Sequence, residues 1–344
     1  MPFTIVSWEL KNFEVNNNGM GIGKKKIYFG LASLAVLLAV ALAFYFKPVK
    51  MQDPKPEQKD EIIWLVDSQG YLVYPSNRGE IRFRRDNLSE TANLTISKVV
   101  YQSRQGSVYG LLVLPKLASD LMPGVVLLPG AGVSKESELE LAKKISELGA
   151  AVLTIDQRGV GETTGKLNTI EQDYVDFLNA KEPSQHLMVY DALRGYDLLY
   201  SAPFVDPERI AIAGESLGGR VAIIAAAIDR NINGVLAISS AGLNFEMTND
   251  TRVNIFLKSI DSDHYIDQIA PRKTVMMHNS DDKNIPLSAA LNSYSKAQDP
   301  KQLVLVNDTE CSHGYCDSMY SGLVDALDYL VGIRSRTLIS VPVR

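Results

Sequence analysis

The segment Ala213-Gly214-Glu215-Ser216-Leu217-Gly218-Gly219 sets one serine between glycines two residues to either side. Residues 209–213 (RIAIA) before it read as a short buried strand, and residues 220–229 (RVAIIAAAID) after it read as an Ala-rich helix. A Gly-x-Ser-x-Gly at a strand-to-helix turn holds the serine in a tight, exposed position from which its oxygen can attack a carbonyl. The glycines are there for steric reasons, since a side chain at Gly214 or Gly218 would collide where strand and helix approach each other.

A serine is a poor nucleophile until a base takes its proton, and the base needs an orienting carboxylate. Only four histidines occur: His186, His264, His278 and His313. His186 opens a helix before the serine, His264 lies in a polar-aromatic stretch, and His278 ends an apolar strand. His313 follows the last predicted strand by a loop and precedes the final helix, so it is the candidate base. The acid belongs at the end of the preceding strand, where Asp281 and Asp282 both stand. Asp282, three residues after Asn279 and four before Pro286, is preferred, with Asp281 the second candidate. Asp308 and Glu310 occupy the histidine's own loop. A tetrahedral oxyanion needs backbone donors. The N–H of Leu217 is one candidate, and Ala131 in Pro129-Gly130-Ala131-Gly132 is the other. That loop is not read as a phosphate cradle, because no Gly-Lys-Ser/Thr follows it. The chemistry calls for no metal and no organic cofactor; Cys311, His313 and Cys316 make a cramped, incomplete metal-ligand set.

The elements that must position these groups alternate. Residues 94–102 and 108–114 form an expected hairpin, and residues 125–128 a short buried strand. A helix over 136–148 ends at Gly149, and a strand follows over 150–155. A helix over 188–200 precedes the serine turn. Strands over 234–239, 274–278 and 302–306 and a helix over 318–331 complete the chain. This order predicts an α/β fold with a mostly parallel central sheet covered by helices on both faces. Residues 162–185 and 242–270 interrupt the alternation after strand ends, where open α/β sheets bind ligands, and are read as lid or pocket segments.

The N-terminus predicts a different environment. Residues 27–46 (IYFGLASLAVLLAVALAFYF) form an uncharged apolar run long enough to cross a bilayer, preceded by Lys24, Lys25 and Lys26. One reading is a transmembrane signal anchor, with residues 1–26 as a cytoplasmic or disordered tail. The other is a signal peptide starting at Met20 and cleaved after Ala43, giving a secreted protein. Phe44-Tyr45-Phe46 favours the anchor and an extracytoplasmic domain. Residues 47–60, with three prolines and many charges, read as a linker, residues 61–93 as an extension packing on the core, and 94–344 as the main domain. In that compartment Cys311 and Cys316 could form a short-loop disulfide, the alternative being two free thiols. The net charge of −5, with signs interspersed, shows no nucleic-acid footprint. Oligomeric state has no signature in the sequence.

Four segments together resemble the α/β-hydrolase superfamily, and within it the prolyl-oligopeptidase and dienelactone-hydrolase branch. They are Leu128-Pro129-Gly130-Ala131-Gly132; Asp156-Gln157-Arg158-Gly159-Val160-Gly161-Glu162; the serine turn with Val205-Asp206-Pro207-Glu208-Arg209-Ile210; and 282–286 followed by His313-Gly314. The resemblance spans roughly residues 94–332. It implies Ser216 as nucleophile, Asp282 as orienting acid and His313 as base, with the Asp156 loop shaping the mouth of the site. Pro129 stands where many relatives have histidine, and Glu162 where serine is frequent. Glu215 is expected to be solvated or to pair with a neighbour. The implied activity is hydrolysis of a carboxylic ester of a small-molecule or acyl substrate. A peptidase, a thioesterase and an acyltransferase are alternatives, although for a peptidase of this branch only about forty residues separate the linker from the core, which leaves no room for a β-propeller. A non-catalytic binding module on the same scaffold would predict a broken triad.

Overall fold

In the computed structural model, residues 63–116 and 121–333 are described. The central sheet is ordered β11-β10-β9-β8-β6-β7-β5-β4-β3. Six of its strands run parallel: β6 (Met122–Leu128), β7 (Ala151–Ile155), β8 (Val205–Glu215), β9 (Gly234–Ile238), β10 (Lys273–Asn279) and β11 (Lys301–Val306). An antiparallel edge of β3 (Phe83–Glu90), β4 (Leu94–Ser103) and β5 (Gly106–Pro115) joins through β5 and β7. A separate two-stranded ribbon pairs β1 (Leu65–Val66) with β2 (Leu72–Val73). The segment read as a packing extension therefore supplies an edge strand of the main sheet.

The inner parallel strands β6, β7 and β9 are buried at every position because both faces are covered. Along β8, Ile210 and Ile212 face one layer and Ala211 and Ala213 the other, the period-2 alternation of a pleated strand. The first layer packs against Leu193 and Leu199 of helix α3 (Ser184–Ser201) and Val221 and Ile224 of α4 (Leu217–Ile228). The second packs against Leu141 and Ile145 of α1 (Leu139–Glu147) and Leu323 and Leu327 of α7 (Tyr320–Val331). The two interruptions carry helices α2 (Ile170–Leu178) and α5 (Thr251–Ile260). One further helix, α6 (Leu287–Lys296), follows the Asp282 loop.

The apolar run 27–46, the tail before it and the linker after it lie outside the described residues. Among the described residues no helix is long and apolar enough to cross a membrane.

Candidate active site

Ser216 stands at the hinge between β8 and α4 with φ 51° and ψ −115°, a left-handed conformation that costs a non-glycine residue on the order of 1–3 kcal/mol. Neighbouring backbone holds it there. Its N–H donates to the Ile238 carbonyl (2.9 Å), and Ser240 Oγ donates to its carbonyl (2.8 Å). The turn admits no side chain at the flanking glycines. A Cβ on Gly214 would run into the Gly218 carbonyl, and one on Gly218 into the Leu128 carbonyl.

His313 and Asp282 come together from two different loops. His313 Nδ1 lies 2.9 Å from both carboxylate oxygens of Asp282. The Asp282 side chain is fully buried, whereas the imidazole is 20% exposed. Burial alone would raise the Asp282 pKa. The N–H of Ile285 (2.8 Å), His313 and the N–H of Asn284 (2.9 Å) outweigh it and hold the carboxyl below the usual range. Asp281 instead pairs with Lys283 at the surface (2.6 Å), and Asp308 caps its own loop at Glu310 N–H (3.0 Å). His313 Nε2 makes no hydrogen bond among the described residues, so that nitrogen is free to accept a proton.

The other histidines are committed elsewhere. His186 is buried against Ser259 Oγ (2.7 Å), and burial pushes its pKa down to about 3. His264 stacks on Tyr71 with centroids 4.1 Å apart. His278 Nε2 bonds the Ile285 carbonyl (2.9 Å), which braces the Asp282 loop.

Sequence reasoning missed Asn279, whose side chain ties the His313 loop to β10. Its amide donates to the Asp308 (2.8 Å) and Cys311 (2.6 Å) carbonyls and accepts from Asp308 N–H (3.0 Å). Cys311 and Cys316 are paired as a disulfide in the same loop, their Cα atoms 5.9 Å apart. Of the two expectations for Glu215, solvation or a neighbouring partner, it takes the second. It is half-buried, with Oε1 accepting from Tyr315 N–H (3.2 Å) beside Gly314. Burial raises its pKa against the pull of the Tyr315 N–H and His313. A second buried acid, Glu138, is pushed up to about 8 by burial and by Glu215, while the Gly130 backbone pulls the other way.

The loop carrying Ala131 is held from below. Gln157 Nε2 donates to the Pro129 carbonyl (2.8 Å). Buried Asp156 accepts from the N–H (2.8 Å) and Nζ (2.7 Å) of Lys135 and the N–H of Glu162 (2.9 Å). The Asp156 loop is therefore scaffolding, as expected. Ala131 N–H and Leu217 N–H donate no hydrogen bond among the described residues, and Leu217 opens α4, where the helix dipole favours negative charge. A cavity of about 380 Å³ lies between Ser216, Leu217, Arg220 and Ala131 on one side and residues 241–244 and 284–286 on the other. Of the two interruptions, the 242–270 segment lines this cavity and the 162–185 segment does not. Among the described residues no group of three or more His, Cys, Asp or Glu side chains is placed to hold a metal ion.

A serine hydroxyl, an imidazole held by a buried carboxylate, and two free backbone donors are the groups that acyl transfer requires. The chain is 27% identical over 162 residues to Rv2307c of Mycobacterium tuberculosis (strain ATCC 25618 / H37Rv), covering 47% of this chain and 50% of that one. It is 28% identical over 123 residues to the polyketide transferase grgF of Penicillium sp, covering 36% and 38%. The chain thus spans half the length or less of these curated relatives. The acetyl xylan esterase from Paenibacillus sp. R4 superposes with a TM-score of 0.62 at 20% identity, over 74% of this chain and 90% of that one, so the two share the α/β-hydrolase fold. The family model for acetyl xylan esterase (AXE1) matches residues 80–252, which include the Ala131 loop, the Asp156 loop and the Ser216 turn and end before Asp282 and His313. Because that match takes in just over half of the 344 residues, the chain belongs to the acetyl xylan esterase family of α/β-hydrolase serine esterases.

Proposed function

We propose that Ser216, His313 and Asp282 form the catalytic triad of a carboxylic-ester hydrolase, with Leu217 and Ala131 N–H as oxyanion donors. The observation that carries this reading is the pairing of His313 Nδ1 with buried Asp282 at 2.9 Å, on the loops that follow the last two strands of the fold. With Nδ1–H held by Asp282, Nε2 is unprotonated and takes the Ser216 proton as Oγ attacks the ester carbonyl. The imidazolium gives that proton to the departing alcohol, and water activated by His313 releases the acid. Each backbone donor is worth about 10²–10³ in rate when aimed at the oxyanion. The substrate class is small acyl esters, in line with the family.

The chain is further proposed to be anchored by residues 27–46 with the hydrolase domain outside the cytoplasm. Lys24–Lys26 beside the apolar run support this, and the Cys311–Cys316 pairing suits an oxidising compartment. Resistance of the full chain to alkaline carbonate extraction is the expected result; release into the supernatant would remove the anchor.

The test of the activity is turnover of 4-nitrophenyl acetate by the full chain beside a prolyl-4-nitroanilide. Ester turnover with an initial burst supports an acyl-enzyme esterase. Amide turnover without ester preference would move the reading to a peptidase, and no turnover by folded protein would favour a binding module.

A further inference from the structure

Among the described residues, Arg220 is the partly buried arginine without a partner. Arg78, Arg104, Arg158, Arg194 and Arg209 form ion pairs with carboxylates, and Arg272 donates to four backbone carbonyls. The Arg220 guanidinium makes neither a hydrogen bond nor an ion pair with any of the described residues. It nonetheless sits in the wall of the cavity that holds Ser216.

The helix dictates this position. Arg220 is one turn after Ser216, and its N–H donates to the Ser216 carbonyl (3.3 Å). Helical side chains lean toward the helix N-terminus, so a long side chain at that position reaches back over the turn carrying the serine. Burial lowers the Arg220 pKa, opposed by Asp261, yet a guanidinium stays charged at neutral pH. Asp261 does not neutralise it by contact. No ion pair joins the two, and Asp261 Oδ1 already accepts from Leu243 N–H (2.9 Å) and Asp263 N–H (3.1 Å). A desolvated, unpaired cation costs free energy unless an anion completes it. Here the open approach is through the cavity, where the amide-bearing residues Asn244 and Asn284 also line the wall.

The cavity is on the acyl side of the bond to be cleaved. It is bordered by Ser216 and both proposed oxyanion donors, but His313, which hands its proton to the leaving alcohol, does not line it. We propose that Arg220 is an anion subsite and that the esters this site prefers are half-esters of short dicarboxylic acids, with the free carboxylate on Arg220. This deepens the esterase reading and rests on it. Ser216 and Arg220 stand four residues apart on one helix face and line one cavity, so a short acyl chain can meet both. The acyl–oxygen bond breaks, the alcohol leaves with the proton from His313, and water converts the acyl-serine to the dicarboxylic acid. Guanidinium–carboxylate pairing is the strong, charge-assisted and bidentate kind.

The test compares 4-nitrophenyl hemiglutarate with 4-nitrophenyl valerate, a neutral ester of similar size, on the full chain. The ratio of their kcat/KM values is expected to favour hemiglutarate, to fall about ten- to hundredfold in Arg220→Met, and to be partly kept in Arg220→Lys. A ratio that favours valerate, or one equal in wild type and Arg220→Met, overturns the proposal while leaving the esterase reading in place. If neither ester is turned over, the esterase reading fails, and calorimetry still decides the subsite. Monomethyl glutarate is expected to bind Ser216→Ala and to lose that binding in the Ser216→Ala/Arg220→Met double variant. No binding to Ser216→Ala, or binding indifferent to Arg220, overturns it. Matching circular dichroism spectra establish that the variants are folded.

Discussion

Glu138→Gln should make the protein's stability less sensitive to alkaline pH, because it replaces a buried acid that resists ionisation. Glu138 is 3% exposed. Burial, reinforced by Glu215, carries its pKa from 4.5 to about 8. The sign follows from linkage. A carboxyl whose folded pKa is raised is protonated in the folded chain and ionised in the unfolded chain between those values. Stability is therefore lost as pH rises from about 4.5 and levels off above about 8. At about 1.4 kcal/mol per pH unit the full range is a few kcal/mol, with part of it shared with Glu215. A domain of this size moves by about 2–4 °C in Tm per kcal/mol, so the variant should gain about 5 °C on the wild type between pH 5 and pH 9. Gln keeps the carbonyl that accepts from the Gly130 backbone and removes only the titration. Differential scanning fluorimetry of both proteins across that range measures the difference, since titrating groups that do not interact with Glu138 cancel. Tm curves that stay parallel from pH 5 to pH 9 would refute the buried-acid argument.

Three further outcomes are expected. Asp282→Asn should leave the fold intact and lower kcat/KM for an acetyl ester by about 10⁴, through the wrong imidazole tautomer; a loss under tenfold would remove Asp282 from the triad. Gly218→Ala should cost about 3 kcal/mol, because the new Cβ meets the Leu128 carbonyl; an unchanged denaturant midpoint would contradict that contact. His186→Gln should flatten the acid side of the stability profile. The unfolded chain takes up a proton near pH 6.5 that folded His186 refuses down to about 3, so the wild type loses about 1.4 kcal/mol per unit as pH falls through that window. Equal acid-induced loss in variant and wild type would count against a neutral, buried His186.

The serine turn was legible because its chemistry is local: two glycines, one serine and the change of hydrophobic period all lie within about twenty residues. His313 and Asp282 were legible by chain order and by the scarcity of histidines, since each follows a strand whose apolar run is unmistakable. Other features depend on what the sequence does not print. Strand β3 reads FRRDNLSE, exposed at every position, and exists because β4 offers it a hydrogen-bonding edge. Helix α6 reads LSAALNSYSK, with only Pro286 before it as a start signal. Strand β8 begins at Val205, four residues before the apolar run at 209–213, because Val205 pairs with Met122 of β6. Asn279 and Glu138 meet partners far along the chain, Asp308 and Cys311 for the first and Glu215 for the second. In the sequence Asn279 shows only as the end of an apolar strand, and Arg220 only as the first residue of a helix. Its i+4 spacing from Ser216 was the signal that could have found it.

The most direct test of the central claim is to label the full chain with a fluorophosphonate probe and map the modified peptide by mass spectrometry. The account predicts a single adduct on Ser216, lost in Ser216→Ala and sharply slowed in His313→Ala. An adduct on another serine, or labelling of folded protein that persists in Ser216→Ala, would contradict it.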